Sequence, residues 1–521
     1  MQLDACLPQT QLVDGAFASP LPPIESPATF AQETAALLQR WSPMAQHQGA
    51  EAANTPNAAP PAATTTAATS APLPWAGREP RITLCMIARD EERFLPECLR
   101  RARPAVDEIV LVDTGSSDRT VAIAESFGAR VLHQPWADDF SAPRNAALLA
   151  ATGDWILVLD ADEFLVDGAA AAIRELVRAA DVAGWHLHFT NVYTGGKTVG
   201  VMMVRLFRNL PGLAWQNVIH EQVTPSLLRV GRELGLRLGS CDVEVEHHGY
   251  SDEVMQSRGK NERNERLFSK QLAQAPDDVY CLYKYGDFLR RVPGRGDDAH
   301  RLLLRCLEVI RSGPPSLPRE LPYAGEVAAL CALELARRGD TAAAVAVVDE
   351  ALRRFIATPN LHYIAASLML TQARPDAAIA HFRRCLSYRG QVLVVPIQDG
   401  ITAHVSLLGI AQALALKGEL RRGRRLAERA VAMAPDYEVG HLVLSKLQLQ
   451  LGDAGKALRT LTAYLAERPD SPGVCQQATL ILQRIGQKDQ ARRMGDHALA
   501  LLRRNGAASE AAHMQEILAA M

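Results

Sequence analysis

From residue 81 onward, short apolar runs alternate with stretches in which apolar residues recur every three or four positions. The runs at 82–88, 108–113, 130–133 and 155–159 read as strands. A continuous apolar run bounded by charge fits a strand buried on both faces of a parallel sheet. The stretches at 92–101, 118–127 and 141–151 read as helices, the first carrying Phe94, Leu95, Cys98 and Leu99 on one stripe. Strands alternating with helices specify a parallel sheet with helices on both faces. Beyond Asp181, the segments 185–189, 199–207 and 241–247 read as further strands, expected as an antiparallel extension.

From about residue 257 the pattern is helical to residue 521, and it repeats. Gly418, Gly452 and Gly486 are spaced by 34 residues, and Pro435 and Pro469 follow the first two by 17. Gly423, Ala457 and Ala491 stand five residues after the glycines, and Ala430, Tyr464 and Ala498 twelve after. Gly339 opens an earlier unit with Ala344 and Ala351, and 282–289 and 361–386 supply less regular ones. A 34-residue helix-turn-helix period is the tetratricopeptide pattern. Its glycine turns the chain, its small residues let helices approach, and its proline ends the second helix.

Before residue 80 the chain is rich in Ala, Pro, Thr and Gln. Such a segment buries too little surface to offset chain entropy and is expected to be disordered. A short amphipathic stretch at 30–41 reads as a transient helix within it. The predicted organisation is thus α/β plus all-α, with a tail at 1–79, an α/β domain at 80–256 and a helical solenoid at 257–521.

Composition narrows the partners. A formal charge of −2 and a pI near 6.7 argue against nucleic acid or an anionic membrane as the main partner. Nine cysteines without a C-x-x-C pair suggest neither zinc nor a disulfide framework, and fit a reducing cytoplasm. Met1-Gln2-Leu3-Asp4 lacks the features of a signal peptide, and no apolar run is long enough to span a bilayer.

The chemistry gathers at the strand ends, where α/β sheets bind ligands. The run 155–159 ends in Asp160-Ala161-Asp162-Glu163. Residues two apart on a strand face the same way, so Asp160 and Asp162 can face one ligand. Paired carboxylates suit a hard divalent cation, which in turn holds a diphosphate. Ala88-Arg89-Asp90-Glu91 follows the first strand. After the second, Asp113 is placed to accept from a ribose or uracil edge, and Thr114–Ser117 offer amides at a helix start, where anions are favoured. Asp118 reads as a helix cap. Arg144, in the first turn of the third helix, reads either as a diphosphate partner or as a surface residue paired with Asp138 or Asp139.

Four segments, at 85–92, 107–120, 136–145 and 154–163, together resemble family 2 glycosyltransferases. They are most similar to the bacterial subgroup that carries tetratricopeptide repeats, including the peptide glycosyltransferases of glycosylated bacteriocins. Asp90 stands where that subgroup usually has Asn, which bears on the first donor contact. The resemblance implies a GT-A fold, a nucleotide-diphosphate sugar donor (UDP-sugar favoured) and Mg²⁺ or Mn²⁺. It implies that Asp113 contacts the nucleoside, Asp162 holds the metal and Asp160 lies beside the donor, with Ala88, Asp90, Glu91 and Arg144 around it. It also implies an inverting displacement, which needs a base for the acceptor proton. The segment Trp215–Glu221 resembles the subgroup too and offers Glu221 as that base, with His220 beside it. The plain structural alternative is a strand end whose Glu221 pairs with Arg205 or Arg208. His247 and His248 end another strand, and imidazole can complete a Mn²⁺ shell. Adjacent strand residues face opposite ways, so which one faces inward is open; His248 shares a face with Glu246 and is taken as the candidate ligand. Lys260 is a candidate diphosphate contact, or simply a solvated helix start.

These readings converge on a cytoplasmic, metal-dependent, inverting glycosyltransferase whose repeats hold a peptide or protein acceptor or partner. The rivals are a catalytically inactive solenoid adaptor and a nucleotidyltransferase. The latter normally carries a Gly-rich signature with a basic residue near its first strand, which 88–91 is not.

Overall fold

The computed structural model describes residues 77–521 except 194–197, 251–259, 315, 318–320, 392–396 and 398. The tail and the stretch at 30–41 lie outside the described residues. Among the described residues one compact unit ends at Leu444, and a second runs from Ser445 to Met521.

The first unit begins with one curled, mixed sheet. Its strands are β1 (Ile82–Ala88), β2 (Glu108–Asp113), β3 (Arg130–His133), β4 (Trp155–Val158), β5 (Glu163–Leu165), β6 (Val182–Tyr193), β7 (Thr198–Arg208) and β8 (Arg237–Tyr250). Their order is β3-β2-β1-β4-β7-β6-β8-β5. The first four pair in parallel, with Ala88 beside Asp113 where β1 and β2 end. Trp155, Ile156 and Leu157 are wholly buried, as a central parallel strand requires. Helices α1 (Leu95–Ala102), α2 (Thr120–Ser126) and α3 (Ser141–Ala150) make the crossovers. Two more follow, α4 (Ala169–Leu176) and α5 (Thr224–Glu233).

The expected antiparallel extension is only partly so. β7 runs antiparallel to β4 and to β6, but β6 and β8 are parallel. Between them the chain reverses along β7 and then returns through α5, so β8 enters in the sense of β6. β6 and β8 run three or four residues past each end of the segments that signal them, and β7 one residue past each end.

The same unit continues as antiparallel helix pairs. They begin with α6 (Lys260–Gln274), α7 (Val279–Leu289), α8 (Gly296–Ser312), α9 (Ala324–Arg337), α10 (Thr341–Arg354) and α11 (Pro359–Thr371). Then come α12 (Pro375–Ser387), α13 (His404–Leu416), α14 (Leu420–Met433) and the start of α15 (Glu438–Gln450). The second unit takes the rest of α15 and α16 (Ala454–Glu467), α17 (Pro472–Arg484), α18 (Lys488–Arg504) and α19 (Ala508–Ala519). Gly418, Gly452 and Gly486 all have φ near +80°, the left-handed turn that ends a helix. Ala457, Ala491 and Ala498 are fully buried where paired helices touch. The tetratricopeptide reading of the spacing therefore holds at the level of backbone conformation.

Candidate functional site

The C-terminal ends of β1, β2 and β4 lie side by side, and the loops leaving them interlock. Ala88 accepts both the amide (3.0 Å) and the hydroxyl (3.2 Å) of Thr114. Asp90, held at φ +56°, accepts the Ser117 amide at 2.7 Å, and the Glu91 amide donates to the Thr120 hydroxyl at 2.7 Å. Asp113 is buried and accepts from the amides of Gly115 (3.3 Å) and Ser116 (3.0 Å), with His133 Nδ1 3.3 Å away. Burial opposes its charge, but the hydrogen bonds from Ser116, His133 and Gly115 hold its pKa below the usual value. Asp118 accepts the Thr120 amide at 2.9 Å but stands one residue before the N-cap of α2, Arg119, so it is not the cap expected of it.

The densest charge network lies past the end of β4. Arg144 is 6% exposed, and its guanidinium bridges two carboxylates. Nε donates to Glu221 at 2.6 Å and an Nη to Asp160 at 2.8 Å. Burial works against the cation, but Asp160 and Glu221 overcome it and raise its pKa. The Trp215 ring lies 5.1 Å from the same guanidinium. On the other side Arg205, from β7, reaches Asp160 at 3.4 Å and Glu163 at 2.9 Å. Burial would raise the Asp160 pKa, yet the two arginines lower it and keep it ionised. Glu163, fully buried, is pushed upward, and it accepts the Asp160 amide at 2.9 Å.

Neither plain alternative from sequence describes Arg144 or Glu221. Asp138 pairs with Arg266 instead, at 2.7 Å. Arg208 donates to the carbonyls of Ala179 and Ala180. Nor do His220 and Glu221 end a strand. The segment 216–222 is a loop closed by one antiparallel bridge between Gln216 and Gln222. Two of its residues, Asn217 (φ +75°) and His220 (φ +54°), are left-handed, a conformation that costs about 1–3 kcal/mol and persists only where surroundings enforce it.

The surroundings here are the first helices of the solenoid. Gln271 of α6 is buried; its Oε1 accepts the Val218 amide at 3.1 Å, and its Nε2 donates to Asn217 at 2.8 Å and Asp278 at 2.6 Å. The His220 ring stacks on Phe268 with centroids 5.6 Å apart. Gln222 donates to the Tyr280 hydroxyl of α7 at 3.1 Å. Lys270 and Arg266 of α6 hold the 137–138 turn. The loop bearing Glu221 is therefore built on the repeats. Nothing in the local sequence signals this, because these partners stand 48 or more residues away along the chain.

At the other edge, β5 and β8 pair with Glu163 opposite His247. Opposed residues project from the same face, so His247 follows Glu163 toward the site. Its Nε2 lies 3.5 Å from Asp162 Oδ2. Burial would lower its pKa, but Asp162 raises it. His248 is turned away: its ring packs 4.8 Å from Phe164 and its Nε2 lies 3.3 Å from Glu246. The structure thus brings His247, and not the expected His248, beside Asp162, because neighbouring strand residues face opposite ways. The Lys260 side chain lies outside what is described.

A divalent cation fits this site only in part. Among the described residues no three His, Cys, Asp or Glu side chains are arranged to hold a metal. Asp162 and His247 are close enough to reach one ion, while both Asp160 oxygens already face arginines. Two protein ligands suit Mg²⁺ or Mn²⁺, which take the rest of their shell from water and substrate phosphates. No described helix is long and apolar enough to cross a membrane.

Residues 83–205 match the model of glycosyl transferase family 2. A TPR repeat-containing protein of Synechococcus elongatus is 39% identical over 275 residues, covering 52% of this chain and 66% of that protein. The SPbeta prophage-derived glycosyltransferase SunS of Bacillus subtilis is 24% identical over 212 residues, 40% of this chain and 49% of SunS. The alignments thus span about half to two thirds of these relatives. Among solved structures, a tetratricopeptide repeat protein from Parabacteroides merdae aligns with a TM-score of 0.39 at 13% identity, over 50% of this chain and 92% of that one. An S. aureus TarS fragment in complex with UDP-GlcNAc aligns with a TM-score of 0.32 at 14% identity, over 52% of this chain and 91% of that one.

Proposed function

We propose that this chain, which carries a family 2 glycosyl transferase domain of the GT-A fold followed by tetratricopeptide repeats, moves a sugar from a nucleotide diphosphate to an acceptor hydroxyl, thiol or amine. The observation that carries the reading is the Arg144 bridge. It joins Asp160, at the strand end where a donor belongs, to Glu221, on a loop 77 residues away. A carboxylate and a donor-side acid held by one guanidinium are the parts a displacement at an anomeric carbon needs.

Glu221 receives the acceptor proton as the acceptor atom bonds to the anomeric carbon. The bond from that carbon to the diphosphate oxygen breaks, and its electron pair leaves with the nucleoside diphosphate. Both Asp160 oxygens are engaged by Arg144 and Arg205, so Asp160 is poorly placed as a nucleophile. That favours a single displacement with inversion. Asp113 faces the nucleoside, while the amides of 114–117, expected to be open to an anion, are spent on Ala88, Asp113 and Asp90; Arg144 steadies Glu221 and Asp160. Asp162 and His247 would hold Mg²⁺ or Mn²⁺, which when bound supplies positive charge for the leaving diphosphate. The repeats present the acceptor, a peptide or protein segment.

Calorimetry with UDP and Mn²⁺ tests the donor half. Wild type should bind in a Mn²⁺-dependent manner, and Asp162→Ala should lose the dependence. If UDP, GDP and dTDP all fail to bind, the solenoid-adaptor reading prevails. Inorganic pyrophosphate release from nucleotide triphosphates would instead identify a nucleotidyltransferase.

A further inference from the structure

The second solenoid helix carries a cation for which the described residues offer no counter-ion. Lys284 of α7 donates no hydrogen bond and makes no ion pair among the described residues. Its ammonium instead lies over two rings, 4.7 Å from the Tyr283 centroid and 5.6 Å from that of Tyr280. Tyr323 extends the platform, stacked on Tyr283 at 5.4 Å and edge-on to Tyr280 at 5.4 Å.

The neighbouring charges are already matched. Arg290 pairs with Glu334 at 2.7 Å and Asp287 at 3.3 Å, and Arg291 pairs with Asp287. Glu326, the other acid that acts on Lys284, accepts from Asn360 (2.8 Å) and Thr358 (3.1 Å). Burial lowers the Lys284 pKa, so the unpaired ammonium is held at a cost. Cation–π contact recovers about 0.5–2 kcal/mol of that cost.

The position of this cation connects it to the loop of Glu221. Lys284 acts electrostatically on the His220 ring, and Glu221 on the Tyr280 hydroxyl. Tyr280 itself accepts from Gln222, the next residue after Glu221. The Tyr280–Lys284 platform thus adjoins the loop that carries Glu221.

We infer that Tyr280, Tyr283, Tyr323 and Lys284 form an acceptor subsite for a peptide segment carrying Asp or Glu next to the residue that is glycosylated. The carboxylate supplies the missing counter-ion of Lys284. The partly exposed rings of Tyr280 and Tyr323 line the approach, while Tyr283 lies buried beneath the ammonium. The inference rests on reading Glu221 as the base.

The test uses the full chain and two fluorescein-labelled dodecapeptides of Ser, Gly and either Glu or Gln, followed by anisotropy at low salt. Wild type should bind the Glu peptide at least tenfold tighter than the Gln peptide. Lys284→Met should abolish that preference and Lys284→Arg restore it, with unchanged melting temperatures. UDP affinity by calorimetry should be the same in all three proteins. Equal binding of the two peptides by wild type overturns the inference, as does failure to bind either. A fall in UDP affinity in Lys284→Met also overturns it, by assigning the lysine to the donor. Failure of the transferase reading shows separately, as absence of nucleoside-diphosphate release from wild type.

Discussion

Replacing Gln271 by Ala removes one side chain that lies outside the α/β domain yet fastens the loop carrying Glu221. The change deletes its bonds to the Val218 amide, the Asn217 side chain and Asp278. Val218 is 8% exposed, so its amide loses its partner in a place water reaches poorly. An unsatisfied buried donor costs about 1–3 kcal/mol. Most of that cost falls on the 216–222 loop, which already carries left-handed Asn217 and His220. A rate changes tenfold for each ~1.36 kcal/mol, so the loss translates to a roughly 5- to 150-fold fall in kcat. The proposed donor contacts lie on other loops, so the donor KM should change little. The assay is nucleoside-diphosphate release under saturating donor, beside a thermal melt. A kcat within twofold of wild type, accompanied by a lower melting temperature, would refute the reasoning. The repeat helix would then be glue and not a support for catalysis.

Four other expectations follow from the same geometry. Arg144→Met strands the carboxylates of Asp160 and Glu221; breaking a buried pair costs about 3–5 kcal/mol, so turnover should fall at least a hundredfold and the melting temperature should drop, whereas an unaffected melt would mean the network is not formed in solution. His247→Ala should weaken Mn²⁺ binding, read by electron paramagnetic resonance with UDP present, and His248→Ala should leave it within twofold; the reverse pattern would restore His248 as ligand. Burial raises the Glu326 pKa to about 7 against 4.5 ordinarily, so the folded state binds more protons than the unfolded state between these values. Stability should therefore fall by roughly 3 kcal/mol as pH rises from about 4.5 to 7, and Glu326→Gln should flatten that slope in melts across the range. Gly452→Ala, at φ +83°, should destabilise the chain by about 1 kcal/mol in denaturant melts, and no change would contradict the left-handed turn.

Much of the fold was legible because its signals are local. β1, β2 and β4 are parallel strands buried on both faces, and such strands write themselves as unbroken apolar runs. The repeats announce themselves through Gly418, Gly452 and Gly486, since a left-handed turn favours the same residue each time. β7 was legible to within a residue, whereas β6 and β8 run three or four residues past each end of their apolar segments, held there by the pairing of β6 with both β7 and β8. Asp160 and Asp162 stood out after an apolar run, and both lie in the turn between β4 and β5, not on the strand itself. The site was not legible in its pairings. Arg144 and Glu221 meet across 77 residues, and Gln271 reaches Val218 across 53. The choice between His247 and His248 turned on a register that only the β5–β8 pairing supplies. Arg205, weighed as a partner of Glu221, instead reaches Asp160 and Glu163, a pairing that only the sheet supplies.

The most direct test is nucleoside-diphosphate release from UDP-, GDP- and dTDP-sugars with Mn²⁺, comparing wild type with Asp162→Ala and Glu221→Gln. The account predicts release from one donor by wild type, lost in Asp162→Ala and reduced at least a hundredfold in Glu221→Gln. Release that is equal in all three proteins, or absent from wild type with every donor, would contradict it.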